Sequence, residues 1–228
     1  MLARLEGAGK QYQSGDQTII ALHPTDLQLH SHELLLIIGP SGSGKTTLLS
    51  LIGCIIYPSF GDLYVDGYHI NTMRQKELAA LRLRTVGFVF QQFNLLAPLT
   101  AEENVAIPLK LQGIRFNEIR KRVGYALEMV GMTDRRKSLP RQLSGGQQQR
   151  IAIARALVTN PKIILCDEPT AALDKDSFSV VMQELKLLSE QGKSVAVVTH
   201  DPRLAIYATR AVEVINGFVS PLDLASFK

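Results

Sequence analysis

Residues 39–46, GPSGSGKT, match the spacing G-x-x-x-x-G-K-[ST] in full. An apolar run, Leu34–Ile38, precedes them and an apolar-periodic helix, KTTLLSLIG, follows. Glycines at 39, 42 and 44 permit close backbone approach and unusual dihedrals. Successive N–H groups then point inward at anionic oxygens, and the helix N-terminus adds partial positive charge. The expected phosphate cradle is Gly39, Pro40, Ser41, Gly42, Ser43, Gly44, Lys45, Thr46 and Thr47. Lys45 reaches the β- and γ-phosphates, and the Thr46 hydroxyl is offered to Mg²⁺. The bland alternative is a Gly/Ser-rich turn with a chance lysine. Eight positions and two agreeing flanks favour the phosphate loop.

A second apolar strand, Ile163–Asp167, ends in a carboxylate and is followed by Glu168. Ligands of open α/β sheets sit beyond the carboxyl ends of the strands, which brings Asp167 to Mg²⁺ or its water shell. Glu168 can orient or deprotonate a water that attacks a metal-bound triphosphate. His200 ends the strand SVAVVTH and reaches the same edge, to contact the γ-phosphate or support Glu168. On its own it would be a capping or core histidine. Gln91 ends VGFVF, where its carbonyl oxygen can ligate Mg²⁺ or water and report nucleotide state, although Gln92 beside it weakens the signal.

LSGGQQQR at 143–150 opens another helix, IAIARAL. Ser144 reads as its N-cap, and Gly145 and Gly146 leave bare N–H groups at a positive helix end, an anion site without a lysine. With one complete phosphate loop already present, a second γ-phosphate site is surplus within one chain. It either completes the site of a second copy in a two-fold dimer or is an ordinary helix cap.

The elements that must position these groups follow an α/β pattern. Residues 2–30 read as an antiparallel layer with a turn at 14–17, PSFGD at 58–62 as a turn, 63–65 as a strand and 75–85 as a helix. Strands are expected at 86–90, 163–167, 194–199, 211–215 and 218–219, with a hairpin at Asn216-Gly217, and helices at 177–190 and 202–209. Residues 101–137 carry no strong strand signal, so 95–157 is expected to be a helical subdomain within a single domain, 1–228. Composition agrees with an ordinary folded protein: 46% hydrophobic, 20% charged, net +4. The basic excess comes without an aromatic platform for nucleic acid. Cys54 and Cys166 lack metal-ligand spacing and read as small hydrophobes in helix and strand contexts. The N-terminus has no apolar h-region and no run spans a bilayer, so any membrane work requires another polypeptide.

Together these segments resemble the ATP-binding subunit of an ABC transporter over essentially the full length. GPSGSGKT resembles the family's Walker A, IILCDEP its Walker B with the catalytic glutamate, and LSGGQ its signature. The resemblance implies a P-loop NTPase core with a mostly parallel sheet, an N-terminal antiparallel β layer and an inserted helical lobe. It implies ATP and Mg²⁺ as ligands, with Thr46, Gln91 and Asp167 serving the metal, Glu168 as general base and His200 as switch histidine. Ser144, Gly145, Gly146 and Gln147 would close on the ATP of a second copy in a head-to-tail homodimer. Tyr12 matches the aromatic that stacks on adenine, its alternative being a turn-flanking tyrosine. Asp174, in AALD, matches the acid of the segment that crosses between subunits. Two positions depart from the family pattern. His32 stands where glycine is usual, at a turn where histidine tolerates positive φ, and Ala171 stands for a frequent serine.

VGFVFQQFNLLAPLTAEENVAIPL is similar to the macrolide-exporter and lipoprotein-release group. CIIYPSFGDL and PTAALD lean toward the ATPase of the DevA-type glycolipid exporter. The implied partners are integral membrane transporter subunits, which would hold the chain at the cytoplasmic face of the membrane. A regulator of a non-transport membrane complex, of the cell-division or envelope-remodelling type, is the alternative. A nucleic-acid-associated ATPase would bring a second ATP module or a coiled-coil insertion. Arg135, Arg136, Lys137 and Arg141 form the densest basic patch, read as a solvated face rather than a contact with anionic headgroups.

Overall fold

A computed structural model describes residues 1–169 and 175–227. The chain opens with a long hairpin, β1 (Ala3–Ser14) and β2 (Gln17–Leu29), closed by a turn at residues 15–16. Next come β3 (Glu33–Ile38), α1 (Lys45–Ile52), β4 (Phe60–Val65), β5 (Tyr68–His69), α2 (Gln75–Thr85) and β6 (Val86–Val89). Three helices then intervene before the next strand: α3 (Ala101–Leu111), α4 (Phe116–Met129) and α5 (Gly145–Leu157). The chain returns through β7 (Ile163–Asp167), α6 (Lys175–Glu190) and β8 (Ser194–Thr199) and finishes with β9 (Arg210–Ile215) and β10 (Phe218–Leu222).

The strands form two sheets. One is antiparallel, in the order β2-β1-β4-β5. The other runs β10-β9-β3-β8-β7-β6, parallel except for the antiparallel pairing of β10 with β9. Side chains alternate across the parallel strands and so feed two separate cores. Leu34, Leu36, Ile164, Cys166, Val195 and Val197 pack toward α3–α6. Leu35, Ile37, Ile163, Leu165, Ala196 and Val198 face the antiparallel sheet and the α1 and α2 helices. Burial on both faces explains why β3, β7 and β8 read as continuous apolar runs. Each fully buried Leu or Ile here stabilises the fold by about 1.5–3 kcal/mol.

The helices have local reasons to start where they do. Thr100 caps α3, accepting from Glu103 N while the Glu103 carboxylate accepts from Thr100 N at 2.8 Å. At the other end of the fold, Asn216 and Gly217, at φ 48° and 81°, make the expected turn between β9 and β10. His32 adopts φ 61°, the left-handed conformation expected where the family has glycine.

Four local expectations need correction. PSFGD is not simply a turn, because β4 already begins at Phe60. Gly61, at φ 68°, sits where the β1–β4 register slips between Glu6 and Gly9, and a Cβ there would lie 2.1 Å from Gly7 O. The composition of a turn is also the composition of a bulge. The strand expected over 86–90 ends at Val89, and the helix expected over 202–209 is a 3₁₀ segment, Pro202–Tyr207. Cys54 lies beyond α1, in a turn at φ 55° rather than in the helix.

Candidate functional site

Parallel alignment puts the carboxyl ends of β3, β8, β7 and β6 side by side along one sheet edge. The loop of residues 39–44 leaves β3 at that edge. Gly39 is pressed against β9, where a Cβ would lie 2.1 Å from Val214 O. Gly42 and Gly44 hold φ 75° and 109°, conformations that a side chain resists. Lys45 begins α1 and is nearly buried, and its ammonium donates to Gly39 O (2.9 Å) and Pro40 O (2.8 Å). An ammonium has three donors, so one remains for a further acceptor. The buried Ser43 hydroxyl has no hydrogen-bond partner among the described residues. Leaving such a group unpaired costs about 1–3 kcal/mol, which an anion's oxygen can offset.

The loop forms one wall of a cleft of about 410 Å³ that also holds Thr46 and Thr47. Its other walls are Ile19, Ile20 and Ala21 of β2 and the Asn216-Gly217 turn. Sequence reasoning missed these five residues as site residues. Gly217 N donates to Ser43 O at 2.8 Å, and His23 N donates to Gly217 O at 2.8 Å, so turn, loop and β2 are tied together. Tyr12 lies across from Ile19 in the β1–β2 register, 44% exposed, with the Lys10 ammonium 5.4 Å from its ring centre.

At the end of β7, the Thr46 hydroxyl donates to Asp167 Oδ2 at 3.4 Å. Burial pushes the Asp167 carboxyl above its ordinary range, and the Thr46 bond opposes this. A desolvated carboxylate beside a hydroxyl and a phosphate cradle suits a hard divalent cation that takes oxygen ligands. Among the described residues no three His, Cys, Asp or Glu side chains form a metal cage by themselves. Such a cation would therefore draw further ligands from phosphate and water, as Mg²⁺ commonly does. The residues present fit that mode.

Glu168 adopts φ 48°, an unusual conformation for a long side chain. Its N–H donates to Val198 O at 2.9 Å, which ties the turn to β8. The Glu168 Oε1 atom accepts from His200 Nδ1 at 2.8 Å, and Oε2 accepts from the Thr199 hydroxyl at 3.3 Å. The Glu168 side chain is 13% exposed and that of His200 is 73% exposed. A carboxylate is thus held by two donors from one neighbouring strand end, at the edge that carries Lys45 and Thr46.

Gln91 is not drawn into this cluster. It sits exposed on the loop beyond β6 and makes no hydrogen bond to Thr46 or Asp167. A residue sequence reasoning missed anchors that loop from below. Arg155, on α5, donates through Nη1 to Asn94 O (2.5 Å) and through Nη2 to Phe93 O (2.8 Å). An arginine in the otherwise apolar helical run IAIARAL was the available signal. Beside the loop, an apolar groove of about 800 Å³ runs between α2, β6 and α3, lined in part by Ile55, Leu83, Phe88, Phe90 and Leu111.

The glycine pair lies at the N-terminus of α5. Ser144 caps the helix, with Gln147 N donating to its hydroxyl at 3.3 Å and Ser144 N donating to Gln147 Oε1 at 3.0 Å. The helix cap is therefore real, and Gly145 and Gly146 occupy the first turn of α5. None of the bonds at this helix end reaches the phosphate loop. Asp174, with Ala171, lies outside the described residues.

Comparison with known proteins agrees with this geometry. A family model described as ABC transporter matches residues 22–171. The uncharacterized ABC transporter ATP-binding protein YknY of Bacillus subtilis is 45% identical over 220 residues, covering 96% of both chains. The macrolide export ATP-binding/permease protein MacB 1/2 of Paracoccus denitrificans is 44% identical over 216 residues. That match covers 95% of this chain but 32% of the relative, so the chain spans about a third of the macrolide-export proteins it matches. The ATP-binding cassette MJ0796, solved as a dimer in a post-hydrolysis state bound to ADP and Pi, superposes with a TM-score of 0.90. It is 43% identical and covers 97% of this chain and 99% of its own.

Proposed function

The chain belongs to the ABC transporter family, as an ATP-hydrolysing nucleotide-binding subunit related to the macrolide-exporter group, and we propose that it drives an exporter by closing two copies on ATP. The observation that carries this reading is one sheet edge that gathers Lys45, Thr46, Asp167, Glu168 and His200, while the capped glycine pair of α5 makes no bond to it.

ATP seats its triphosphate against residues 39–47, with the free donor of Lys45 and the Ser43 hydroxyl turned to phosphate oxygens. Adenine lies toward Tyr12 and Ile19, on the hairpin tied to the loop through Gly217. Thr46, Asp167 and Gln91 would hold Mg²⁺, which would supply positive charge against the charge that develops on the phosphates. Glu168 takes a proton from a water as its oxygen bonds to the γ-phosphorus, the bond to the bridging oxygen breaks, and ADP leaves with that electron pair. His200 keeps the carboxylate aimed, and its exposed ring also reaches the γ-phosphate.

Ser144, Gly145, Gly146 and Gln147 of a second copy complete the site across a head-to-tail homodimer. Coupling then passes through Gln91 to the helical lobe, 95–157, because Arg155 holds the loop after Gln91 to the helix that begins at the glycine pair. Integral membrane subunits dock in the apolar groove between α2, β6 and α3, which keeps the chain at the cytoplasmic face of the membrane. Among the described residues no helix is long and apolar enough to cross a membrane. The test is Lys45→Ala in a fluorescent-nucleotide titration. Affinity falls by about tenfold or more, since charge-assisted bonds of about 1.5–3 kcal/mol are lost. Unchanged affinity rules out the phosphate-loop assignment.

A further inference from the structure

The basic excess of the chain is confined to one segment. Residues 101–142 carry nine Lys and Arg against five Asp and Glu, a net of +4, equal to that of the whole chain, so the remainder is balanced. The acids of this segment are largely engaged. Glu102 pairs with Arg136, Glu118 pairs with Arg122, and Glu103 closes the cap of α3. Lys110, Arg115, Arg120, Lys121, Lys137 and Arg141 make no ion pair with any described residue.

The same segment exposes large apolar side chains. Phe116 is 76% exposed, Leu111 70% and Tyr125 66%. On α4, Phe116 and Arg120 flank buried Ile119 and Val123 on the side that lines a groove with α3, while Tyr125 and Met129 lie round the helix on the other side, along a different groove. A groove of about 680 Å³ between α3 and α4 is lined by Phe116, Ile119 and Val123 and by Lys110, Arg120 and Lys137, with the already engaged Glu102 and Glu103 beside them. Aromatic and basic residues on one face are the composition of helices that lie at an anionic bilayer surface. An acidic protein surface would match the charge, but it gives no reason for an exposed Phe116 beside it.

We propose that the α3–α4 face docks on the anionic phospholipid surface of the membrane, with Phe116 entering the interface and Lys110, Arg120 and Lys137 contacting phosphate headgroups. The orientation rests on the membrane-partner reading. Leu111 lines the groove assigned to the membrane subunits and Lys110 lines this basic one, so a single helix, α3, borders both. The lipid contact would fix the tilt of the helical lobe while the subunits dock beside it.

The purified full chain is floated with phosphatidylglycerol vesicles and, separately, with phosphatidylcholine vesicles, while ATP turnover is measured in solution without lipid. Binding is expected on phosphatidylglycerol only, and it weakens as salt is raised. Arg120→Gln with Lys137→Gln weakens it about 25-fold, roughly fivefold for each cation. Phe116→Ser weakens it several-fold with the salt dependence retained. Both variants keep parental turnover, which shows that they fold. Equal binding to both lipids, no binding to phosphatidylglycerol, or unchanged binding by the double variant overturns the proposal. So does a double variant that loses only its co-purification with membrane subunits, which points to an acidic protein surface instead. Failure of the parent to turn over ATP counts against the hydrolysis reading alone, because flotation needs neither ATP nor the subunits.

Discussion

Replacing Glu168 with Gln removes a proton acceptor while keeping a side chain of the same shape. The parent carboxylate accepts from His200 Nδ1 at 2.8 Å and from the Thr199 hydroxyl at 3.3 Å. In Glu168→Gln, the amide oxygen still accepts from His200, and the amide N–H₂ can donate to the Thr199 hydroxyl, which accepts as well as donates. The loss in positioning is therefore small, about 1 kcal/mol or less. Loss of the general base is larger. Such groups contribute about 10²–10⁴-fold, or about 2.7–5.5 kcal/mol of barrier. The chemical effect dominates, so kcat in a phosphate-release assay falls about 10²–10⁴-fold. ATP affinity changes by no more than about fivefold, the equivalent of that 1 kcal/mol. The variant also accumulates as an ATP-dependent dimer by sedimentation. A kcat within about tenfold of the parent would remove Glu168 from the role of base.

Two further substitutions read other parts of the site. Gly44→Ala places a Cβ 2.4 Å from Ala21 O at φ 109°, a strain of about 1–3 kcal/mol, so ATP affinity falls about fivefold or more while far-ultraviolet circular dichroism stays parental. Retained affinity would show that the loop does not bind in this form. Asp167→Asn keeps an acceptor for Thr46 and removes a charge that burial disfavours. A carboxyl raised in the folded state contributes its stability below its unfolded pKa and loses it as pH rises through the folded pKa. The variant without nucleotide or Mg²⁺ therefore melts higher than the parent at neutral pH, and the difference shrinks as pH falls through the raised pKa of Asp167. A lower midpoint at neutral pH contradicts the desolvation argument.

The parts of the site that are continuous in sequence were legible there. GPSGSGKT carries its own flanking strand and helix, and Asp167 and Glu168 follow an apolar run that had to be a buried strand. Ser144 could be assigned as a cap because a capping box is complete within four residues. What was not legible is assembled from distant segments. Ile19–Ala21 and Asn216-Gly217 become cleft walls only through bonds between residues 23, 43 and 217, and nothing local marks them. The bulge at Gly61 was hidden because glycine serves turns and bulges for the same conformational reason. The basic patch at 135–141 was read as a solvated face. Only folding shows that Lys110, Arg120 and Phe116 join Lys137 around one groove.

A site shared between two copies is tested most directly by mixing two inactive chains. Lys45→Ala disables the phosphate loop and leaves the glycine pair of α5 intact. Ser144→Arg blocks the glycine pair and leaves the phosphate loop intact. In a head-to-tail dimer of the two, one composite site is wholly disabled and the other wholly intact. Each chain alone should therefore turn over almost no ATP, and an equimolar mixture should recover up to about a quarter of parental activity, since half the dimers are mixed and each has one of two sites. Silence of the mixture, with both chains folded and Ser144→Arg still binding ATP, or full activity of Ser144→Arg alone, would contradict a site completed by a second copy.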